Sequence, residues 1–459
     1  MPDPSSEDRH VADVVVANTT GPNPVDGIVE TLPLTRAQLM LVGAAALGYM
    51  FDAFDTYVVS FAMPAIASAW KLTPVFNGAL ASAGMWGMFF GALMWGPIAD
   101  RFGRKLGFAG TVLGFSVLSG ATALAANSTQ FLFFRFLSGL FLGGMLPVVS
   151  VMVAEAVAAA YRGRLVALPP VFWPGGLFLA AAASFLLMPR FGWQSLFLVG
   201  SLPAILGLAV ILWLPESPRW FAMRGRREDA AKVLARLGAS PGQLDVLASG
   251  RIETKKVSLR VLLRPPYGKR LAMTTSVLFF GFFGYYGFVL WLPSILALHF
   301  RMSLAQAFSY TALVGTFAVL GKITAFLTVD RYGRKQLFYV GFGMAAVVSL
   351  LFGLLHKPWH LLVGACALSF FLEEAAAGCV VLPTELFPSQ VRGSANSWSS
   401  AAGKLAAALS PLVFGYFLSH QRYYSIFATM AAFFVIACGI IFTSGVEVAG
   451  KVLQDVGAS

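Results

Sequence analysis

Charged residues are scarce in this chain, and their scarcity excludes a soluble globular domain. Asp, Glu, Lys and Arg make up only 12% of the 459 residues, whereas hydrophobic residues make up 58%. The mean hydropathy is +0.74, which lies far outside the range of soluble domains. The composition is therefore that of an integral membrane protein.

Cysteines and enzyme motifs are also sparse. The three cysteines, Cys366, Cys379 and Cys438, have neither metal-binding nor disulfide spacing, so we expect them to be packing residues. The nearest match to a phosphate-binding loop, "GTFAVLGKIT" from Gly315, has five residues between its glycines where the motif has four. Because a nucleophile triad and a His-rich site are missing as well, the sequence predicts no enzyme, no ATP-driven pump, no cofactor and no metal site.

Long apolar stretches dominate what remains. Twelve of them, each of about 18 residues or more, are long enough to cross a membrane as helices. A β-barrel of the outer membrane would show short segments of alternating hydrophobicity instead. We therefore predict an all-α membrane protein with twelve transmembrane helices, spans 1 to 12, which begin near residues 38, 74, 106, 130, 165, 193, 271, 304, 337, 359, 394 and 422.

The basic residues are distributed unevenly between the loops that join these spans. If the N-terminus is cytoplasmic, 22 Lys and Arg residues lie in inner loops and five lie in outer loops. By the positive-inside rule this asymmetry predicts that both termini are cytoplasmic. The net charge of +12 is thus a topology signal. The expected partner is the lipid bilayer of the bacterial cytoplasmic membrane, and not a nucleic acid.

The chain contains an internal repeat. "DRFGRK" begins at Asp100 and "DRYGRK" begins at Asp330, an offset of 230 residues. Glu155 and Glu385, which both precede an "RG" pair, show the same offset. Two independent pairs with one offset indicate a duplication, so we predict two pseudo-symmetric halves of six helices each. We expect such a two-half chain to function as a monomer.

The polar segments set the expected domain boundaries. The segment 215–270 is the only long polar stretch in the body of the chain, and its "GRREDAAKVLARLG" has the apolar spacing of a short amphipathic helix. It is too small for a catalytic domain and leaves little room for the output domain of a sensor. The expected order is a disordered cytoplasmic tail, a six-helix bundle, a cytoplasmic linker with short helices, a second six-helix bundle and a cytoplasmic tail, at residues 1–34, 35–214, 215–270, 271–445 and 446–459.

Several motifs resemble the major facilitator superfamily of transporters. "GPIADRFGRK", from Gly96, resembles the signature loop between spans 2 and 3 of that superfamily. "PESPRW" and "PTELFPSQVRG", at residues 215–220 and 383–393, resemble the sugar-porter and organic-ion branches, and "FDAFDT", at residues 51–56, resembles span 1 of aromatic-acid and metabolite:proton symporters. The resemblance implies the major facilitator fold and transport by alternating access.

Asp52 and Asp55 lie in the middle of span 1. A charge in this environment costs roughly 2.5 to 3.5 kcal/mol on insertion scales, so a functional role is the first hypothesis. Three residues apart on a helix, the two carboxylates share one face, and close like charges favour proton uptake. We therefore predict proton coupling by this pair. The alternative is a pair held permanently in salt bridges, and the sequence does not choose between the two members, although Asp55 matches the more widely shared family position.

Two cations inside the spans are candidate substrate-binding residues. Lys404 lies about ten residues into span 11, where a fixed cation would attract an anionic substrate. Its alternative role is to neutralise Glu373 or Glu374. Arg135, near the start of span 4, is the second candidate, or else a structural partner of the aspartate pair.

Glu373 and Glu374 are further candidates for proton coupling. They stand 230 residues after Gly143 and Gly144, so acids replace glycines that permit close helix packing. Because adjacent helical residues point about 100° apart, the two acids can hardly face one small site. One of them is expected to pair with Lys404 or with Lys322, although Lys322 can also extend towards the cytoplasm.

Span 7 favours a flat ligand over a sugar. Its "LFFGFFGYYGFVLW" offers Tyr286 and Trp291 where sugar porters that resemble this chain carry a pair of Gln. A polyhydroxylated ligand needs many directional polar partners, whereas an aromatic ligand is better served by aromatic side chains.

Charged residues at the cytoplasmic ends of the spans form a candidate gate. Salt bridges among them can close the inner face and must break when it opens. The alternative is that the basic members only fix the topology. The gate candidates are Asp100, Arg101, Arg104, Glu155, Arg162, Glu216 and Arg219 in the first half, and Asp330, Arg331, Arg334, Glu385 and Arg392 in the second.

The sequence thus predicts a secondary active transporter that takes up a small organic acid with protons. An aromatic or heteroaromatic carboxylate fits span 7 and Lys404 best. Sugar or polyol symport and proton-driven efflux of drugs or metabolites remain as alternatives, because topology does not reveal direction. The identity of the substrate and the proton stoichiometry are not fixed by the sequence.

Overall fold

The computed structural model describes residues 24–244, 262–265, 267–332, 334–355, 357–387 and 389–444. Within these residues, twelve helices are long and apolar enough to cross a membrane, as predicted. Spans 1 to 6 are Arg36–Trp70, Pro74–Phe102, Arg104–Ala123, Ser128–Ala156, Leu168–Phe191 and Gln194–Trp213. Spans 7 to 12 are Tyr267–Ala297, Leu304–Thr328, Lys335–Phe352, Pro358–Cys379, Ser394–Ser419 and Tyr423–Thr443.

Some helices are interrupted within a span or extend beyond it. In span 5, a break at Phe172 follows Pro169 and Pro170, which cannot donate backbone hydrogen bonds. Span 6 is likewise divided. The helical segments concerned are Ala159–Val171, Trp173–Phe191, Gln194–Val199, Ala204–Trp213, Tyr267–Ser294 with a π-helical turn at Ile295–His299, Leu304–Tyr332, Arg334–Phe352, Pro358–Leu386, Ser389–Ser419 and Tyr423–Ser444.

The helices pack as two halves with the same internal arrangement. In the first half, span 4 packs against spans 2 and 3, and span 1 packs against span 5. In the second half, span 10 packs against spans 8 and 9, and span 7 packs against span 11. Each contact in one half recurs six spans later, which confirms the two six-helix halves expected from the 230-residue repeat.

Glycines bring spans 2 and 4 into backbone contact inside the first half. A side chain at Gly143 would overlap the Met88 carbonyl and would come within 2.8 Å of the Ala92 nitrogen. A side chain at Gly87 would overlap the Phe136 carbonyl in the same way. Gly143 therefore has the close-packing role that the sequence predicts for it.

The two halves meet through spans 1 and 7, spans 2 and 11, and spans 5 and 8. Between spans 2 and 11, Gly78 faces the backbone of Pro411, and a Cβ at Gly415 would lie 2.7 Å from the carbonyl oxygen of Pro74. The Ser82 hydroxyl donates a hydrogen bond to the Ala408 carbonyl. These contacts close the halves together on the face that the loop charges predict to be extracellular.

A small second core lies beside the bundle. The helix Pro24–Glu30 packs against the linker helices Pro218–Met223 and Arg227–Arg236, and buries Val25 and Leu234. The linker helix was expected from its apolar spacing. The N-terminal segment differs from the disordered tail expected over residues 1–34, because from residue 24 it is helical and contributes apolar side chains to this core.

We expect Gly78→Val to weaken the contact between the halves. The added side chain would overlap the Pro411 backbone, and overpacking of this kind costs about 1 to 3 kcal/mol. The apparent melting temperature in detergent should fall by several degrees. The matched control is Gly43→Val, because a Cβ at Gly43 meets no atom within 4 Å. Equal melting temperatures for the two variants would contradict this packing.

Candidate functional site

A buried ion pair joins span 1 to span 4. The Nη1 atom of Arg135 donates to Oδ2 of Asp55 at 2.7 Å, and its Nη2 donates to the Asp55 carbonyl at 3.0 Å. Ser138 also donates to Oδ2 of Asp55, at 3.4 Å. Asp55 is 0% exposed and Arg135 is 2% exposed. The guanidinium further lies over the ring of Phe197, at 5.7 Å from its centroid.

Asp52, one turn before Asp55, has no such partner. It is only 3% exposed, and its Oδ1 accepts no hydrogen bond among the described residues. Its charge interacts with Lys404 of span 11 and with Asp55, but no ion pair within 4.0 Å joins it to Lys404. Asp52 and Lys404 are thus groups of opposite charge, from opposite halves, that interact electrostatically without forming an ion pair. A ligand that bridges them would satisfy both.

Aromatic side chains of span 7 adjoin this pair. The ring of Phe282 lies against Gly403, next to Lys404, where a Cβ would overlap it. Phe282 and Tyr286 pack edge to face, with ring centroids 5.7 Å apart. Tyr286 is close enough to Asp52 for the two to interact electrostatically. A flat ligand between Asp52 and Lys404 would therefore meet aromatic faces.

A second polar cluster crosses the centre of the molecule. The Trp173 indole donates to the Tyr57 hydroxyl at 2.7 Å, and the hydroxyls of Tyr57 and Tyr285 are 2.8 Å apart. Tyr285 donates to Oε1 of Glu373 at 2.6 Å, and Lys322 donates to Oε2 at 3.0 Å. The five residues come from spans 5, 1, 7, 10 and 8.

The structure brings some predicted residues together and separates others. Lys322 points to Glu373 in the bundle and does not extend to the cytoplasm. Glu374 is buried, and its Oε2 has no hydrogen-bond partner among the described residues, so the two glutamates do face different surroundings. Trp291 is fully buried and donates to the Pro411 carbonyl at 3.2 Å, so its indole holds spans 7 and 11 together.

The sequence analysis did not predict a role for Tyr57 and Tyr285, the two tyrosines of the second polar cluster. Tyr57 lies two residues after Asp55, and Tyr285 stands 230 residues after Asp55 in the repeat. The signal that could have identified them is a tyrosine hydroxyl inside an apolar span, because a buried hydroxyl needs a hydrogen-bond partner.

The described gate candidates interact within the first half. Arg104 pairs with Asp100 at 2.6 Å and with Glu155 at 3.3 Å. The Ser217 hydroxyl also donates to Glu155, at 2.6 Å. Glu216 accepts hydrogen bonds from the backbone nitrogens of Arg104 and Lys105, at 2.8 and 3.0 Å, and so caps the N-terminus of span 3.

Gly103 makes room for this cap. Its φ of 112° is strained for residues with a side chain, and a Cβ there would overlap the Glu216 carboxylate. Burial raises the pKa of Glu216, whereas the backbone donors act in the opposite direction. The hydrogen bonds of Glu216 therefore connect the segment after span 6 to the start of span 3.

The remaining gate candidates are placed less fully by the described residues. Arg162 donates to the Val157 carbonyl at 3.2 Å. Arg101 and Arg219 are exposed at the ends of their helices. The side chains of the second-half candidates Asp330, Arg331, Arg334, Glu385 and Arg392 lie outside the described residues. A gate between the halves thus stays a prediction.

The chain matches proteins of known function over nearly its whole length. A family model described as sugar (and other) transporter matches residues 41–458. The niacin transporter NiaP of Acinetobacter baylyi is 34% identical, over 94% of this chain and 98% of that protein. The 4-hydroxybenzoate transporter PcaK of Pseudomonas putida is 29% identical, over 84% of this chain and 87% of that protein.

Among solved structures, the xylose transporter XylE from E. coli has the same fold. Its inward open conformation gives a TM-score of 0.76 at 20% identity, and the match covers 92% of this chain and 99% of that one. The twelve-helix architecture described above is therefore a known transporter fold.

We expect single substitutions in the Asp55–Arg135 pair to be far more damaging than the double substitution. Arg135→Met leaves a carboxylate unpaired in a buried site, which costs about 3 to 5 kcal/mol. Asp55→Asn/Arg135→Met removes both charges and should regain most of the apparent melting temperature. Asp100→Asn is the control, because its side chain is 70% exposed and its ion pair should contribute less than about 1 kcal/mol. A double variant no more stable than Arg135→Met would contradict the pairing.

Proposed function

Because the chain belongs to the sugar (and other) transporter family of the major facilitator superfamily, we propose that it takes up a small aromatic or heteroaromatic carboxylate together with protons. It is a multi-pass membrane protein, and its relatives are transporters of small organic acids. We place it in the bacterial cytoplasmic membrane and expect it to work as a monomer.

The observation that carries the proposal is the unbridged pair of Asp52 and Lys404. Each is an ionisable group in the bundle interior, and among the described residues neither has a partner of opposite charge within 4.0 Å. A substrate carboxylate would form a charge-assisted hydrogen bond with Lys404, which is strong where water is excluded. Its ring would pack against Phe282 and Tyr286, whose faces adjoin this position.

The relatives agree with this chemistry. Niacin and 4-hydroxybenzoate, the substrates in the names of two relatives, are each an aromatic ring with one carboxylate. Both also carry a polar group on the ring, a pyridine nitrogen or a hydroxyl. Such a group could reach Asp52 while the carboxylate binds Lys404, so one site would accept several related acids.

Proton coupling follows from the charge beside Lys404. While Asp52 is ionised, it attracts Lys404 and repels an incoming carboxylate. A proton on Asp52 cancels its charge and makes the full charge of Lys404 available to the substrate. Substrate and proton then bind cooperatively, which is the requirement for symport. Asp55, which is already held by Arg135, keeps span 1 in place against span 4 in this scheme.

The proton role is tested in liposomes with an imposed proton gradient. We expect Asp52→Asn to exchange labelled nicotinate across the membrane but not to accumulate it above its own gradient, because the proton site is gone. Asp55→Asn should instead reduce stability and exchange together. Accumulation by Asp52→Asn at the wild-type level would show that Asp52 is not the proton site.

The substrate class is tested by ligand-induced thermal shifts of the purified protein. Loss of a hydrogen bond to a charged group costs about 1.5 to 3 kcal/mol, so nicotinamide should bind at least about tenfold more weakly than nicotinate. Lys404→Met should remove this preference, and Lys404→Arg should retain part of it. Stabilisation by D-xylose but by no aromatic acid would favour sugar transport instead.

A further inference from the structure

The cluster of Trp173, Tyr57, Tyr285, Glu373 and Lys322 has no part in the proposed binding of substrate or proton. It nevertheless forms four consecutive contacts of 2.6 to 3.0 Å inside the described spans. Trp173 and Tyr57 belong to the first half and the other three residues belong to the second half. The Tyr57–Tyr285 contact is thus a side-chain hydrogen bond between the halves.

The donors in this network can be assigned from its chemistry. An indole only donates, so Tyr57 is the acceptor from Trp173. A carboxylate only accepts, so the Tyr285 hydroxyl donates its hydrogen bond to Glu373. The proton between the two hydroxyls must therefore come from Tyr57. The indole proton and both hydroxyl protons then have an acceptor, and hydrogen bonds that run in one direction polarise and strengthen each other.

This orientation depends on Glu373 presenting an acceptor oxygen to Tyr285. If Glu373 donated to Tyr285, Tyr285 would turn its proton to Tyr57, and the proton of Tyr57 would lose its acceptor. Lys322 opposes this reversal, because its ammonium group donates to Oε2 while Tyr285 donates to Oε1, so both oxygens of Glu373 act as acceptors. Among the described residues, the charged or titratable groups that bond to Glu373 or interact with it electrostatically are Lys322 of span 8, Tyr285 and Tyr286 of span 7, and Tyr57 of span 1.

The structure holds this network in one relative position of the halves. It occurs together with the contact of spans 2 and 11 at Gly78 and Pro411. Opening the protein on that face must move span 1 away from span 7, and a hydrogen bond of 2.8 Å does not survive a separation of more than about 1 Å. The bond between the tyrosines therefore favours the position in which this face is closed.

We propose that the Tyr57–Tyr285 hydrogen bond is a latch between the halves, and that Glu373 and Lys322 are its positioning residues. Trp173 donates to the Tyr57 hydroxyl, which leaves the Tyr57 proton for Tyr285. The Lys322–Glu373 pair accepts the Tyr285 proton, which leaves the Tyr285 oxygen as the acceptor for Tyr57. The latch sets the balance between the two access states of the carrier. This role goes beyond the proposed function and holds for any substrate.

The latch is tested by the distance between two spin labels on the face that it closes. Leu124 and Leu354 follow spans 3 and 9, are 80% and 62% exposed, and occupy equivalent positions in the repeat. They are changed to Cys in a full-length chain whose three native cysteines are replaced by Ser. Tyr285→Phe and, independently, Tyr57→Phe should raise the ratio of long to short distances about two- to tenfold, the effect of one hydrogen bond.

Two double variants separate the positioning role from a merely structural one. Lys322→Met/Glu373→Gln removes both charges but keeps a carbonyl acceptor for Tyr285, so the distance ratio should stay near that of the parent. Lys322→Met/Glu373→Leu removes the acceptor and should shift the ratio as Tyr285→Phe does. The control is Tyr423→Phe, which removes a buried hydroxyl that has no partner among the described residues and should leave the ratio unchanged.

The result that would overturn the latch is equally specific. If Tyr285→Phe and Tyr57→Phe both give the distance distribution of Tyr423→Phe, the hydrogen bond does not hold the halves. If the two double variants coincide, Glu373 and Lys322 are not positioning residues. Because no substrate is added, either outcome leaves the proposed substrate and proton site untouched, and failure of that proposal leaves the latch untouched.

Discussion

The cost of placing charge in hydrocarbon governs this structure. Seven residues that can carry a full charge lie inside the described spans, away from their ends, and four of them form two ion pairs, one within each half: Asp52, Asp55, Arg135, Lys322, Glu373, Glu374 and Lys404. Asp55 is held by Arg135, and Glu373 is held by Lys322. Asp52 differs from these pairs, because Lys404, the cation whose charge acts on it, belongs to the other half and forms no ion pair with it within 4.0 Å. Because Asp52 and Lys404 form no ion pair with each other, a proton can bind to the first and an anionic ligand to the second.

The duplicated scaffold carries different chemistry at equivalent positions. Asp55 of span 1 and Tyr285 of span 7 are related by the 230-residue offset, and each makes a buried polar contact with the span three positions later, to Arg135 and to Glu373. The first contact is an ion pair within the first half. The second continues through Tyr57 into the other half. Equivalent positions of the repeat thus carry an ion pair in one half and a hydrogen-bonded tyrosine that reaches the other half in the second.

Much of the fold follows from the sequence, and less of the site does. The twelve spans, the two halves and the close packing at Gly143 could be predicted because hydrophobic length, repeat offset and small side chains are local signals. The partners of Glu373 and Asp55 could only be narrowed to alternatives, because the rotation of each helix about its axis is set by packing with its neighbours. The role of Trp291 and the connection through Tyr57 depend on contacts 120 and 228 residues apart, which no local pattern encodes.

The central claim is that an anionic substrate and a proton occupy neighbouring positions between Asp52 and Lys404. Calorimetric titration of the purified protein with nicotinate, in two buffers of different ionisation enthalpy, measures the protons taken up on binding. The account predicts net proton uptake by the wild-type protein and none by Asp52→Asn, which should still bind the acid. Binding without proton uptake by the wild type, or equal uptake by both proteins, would contradict it.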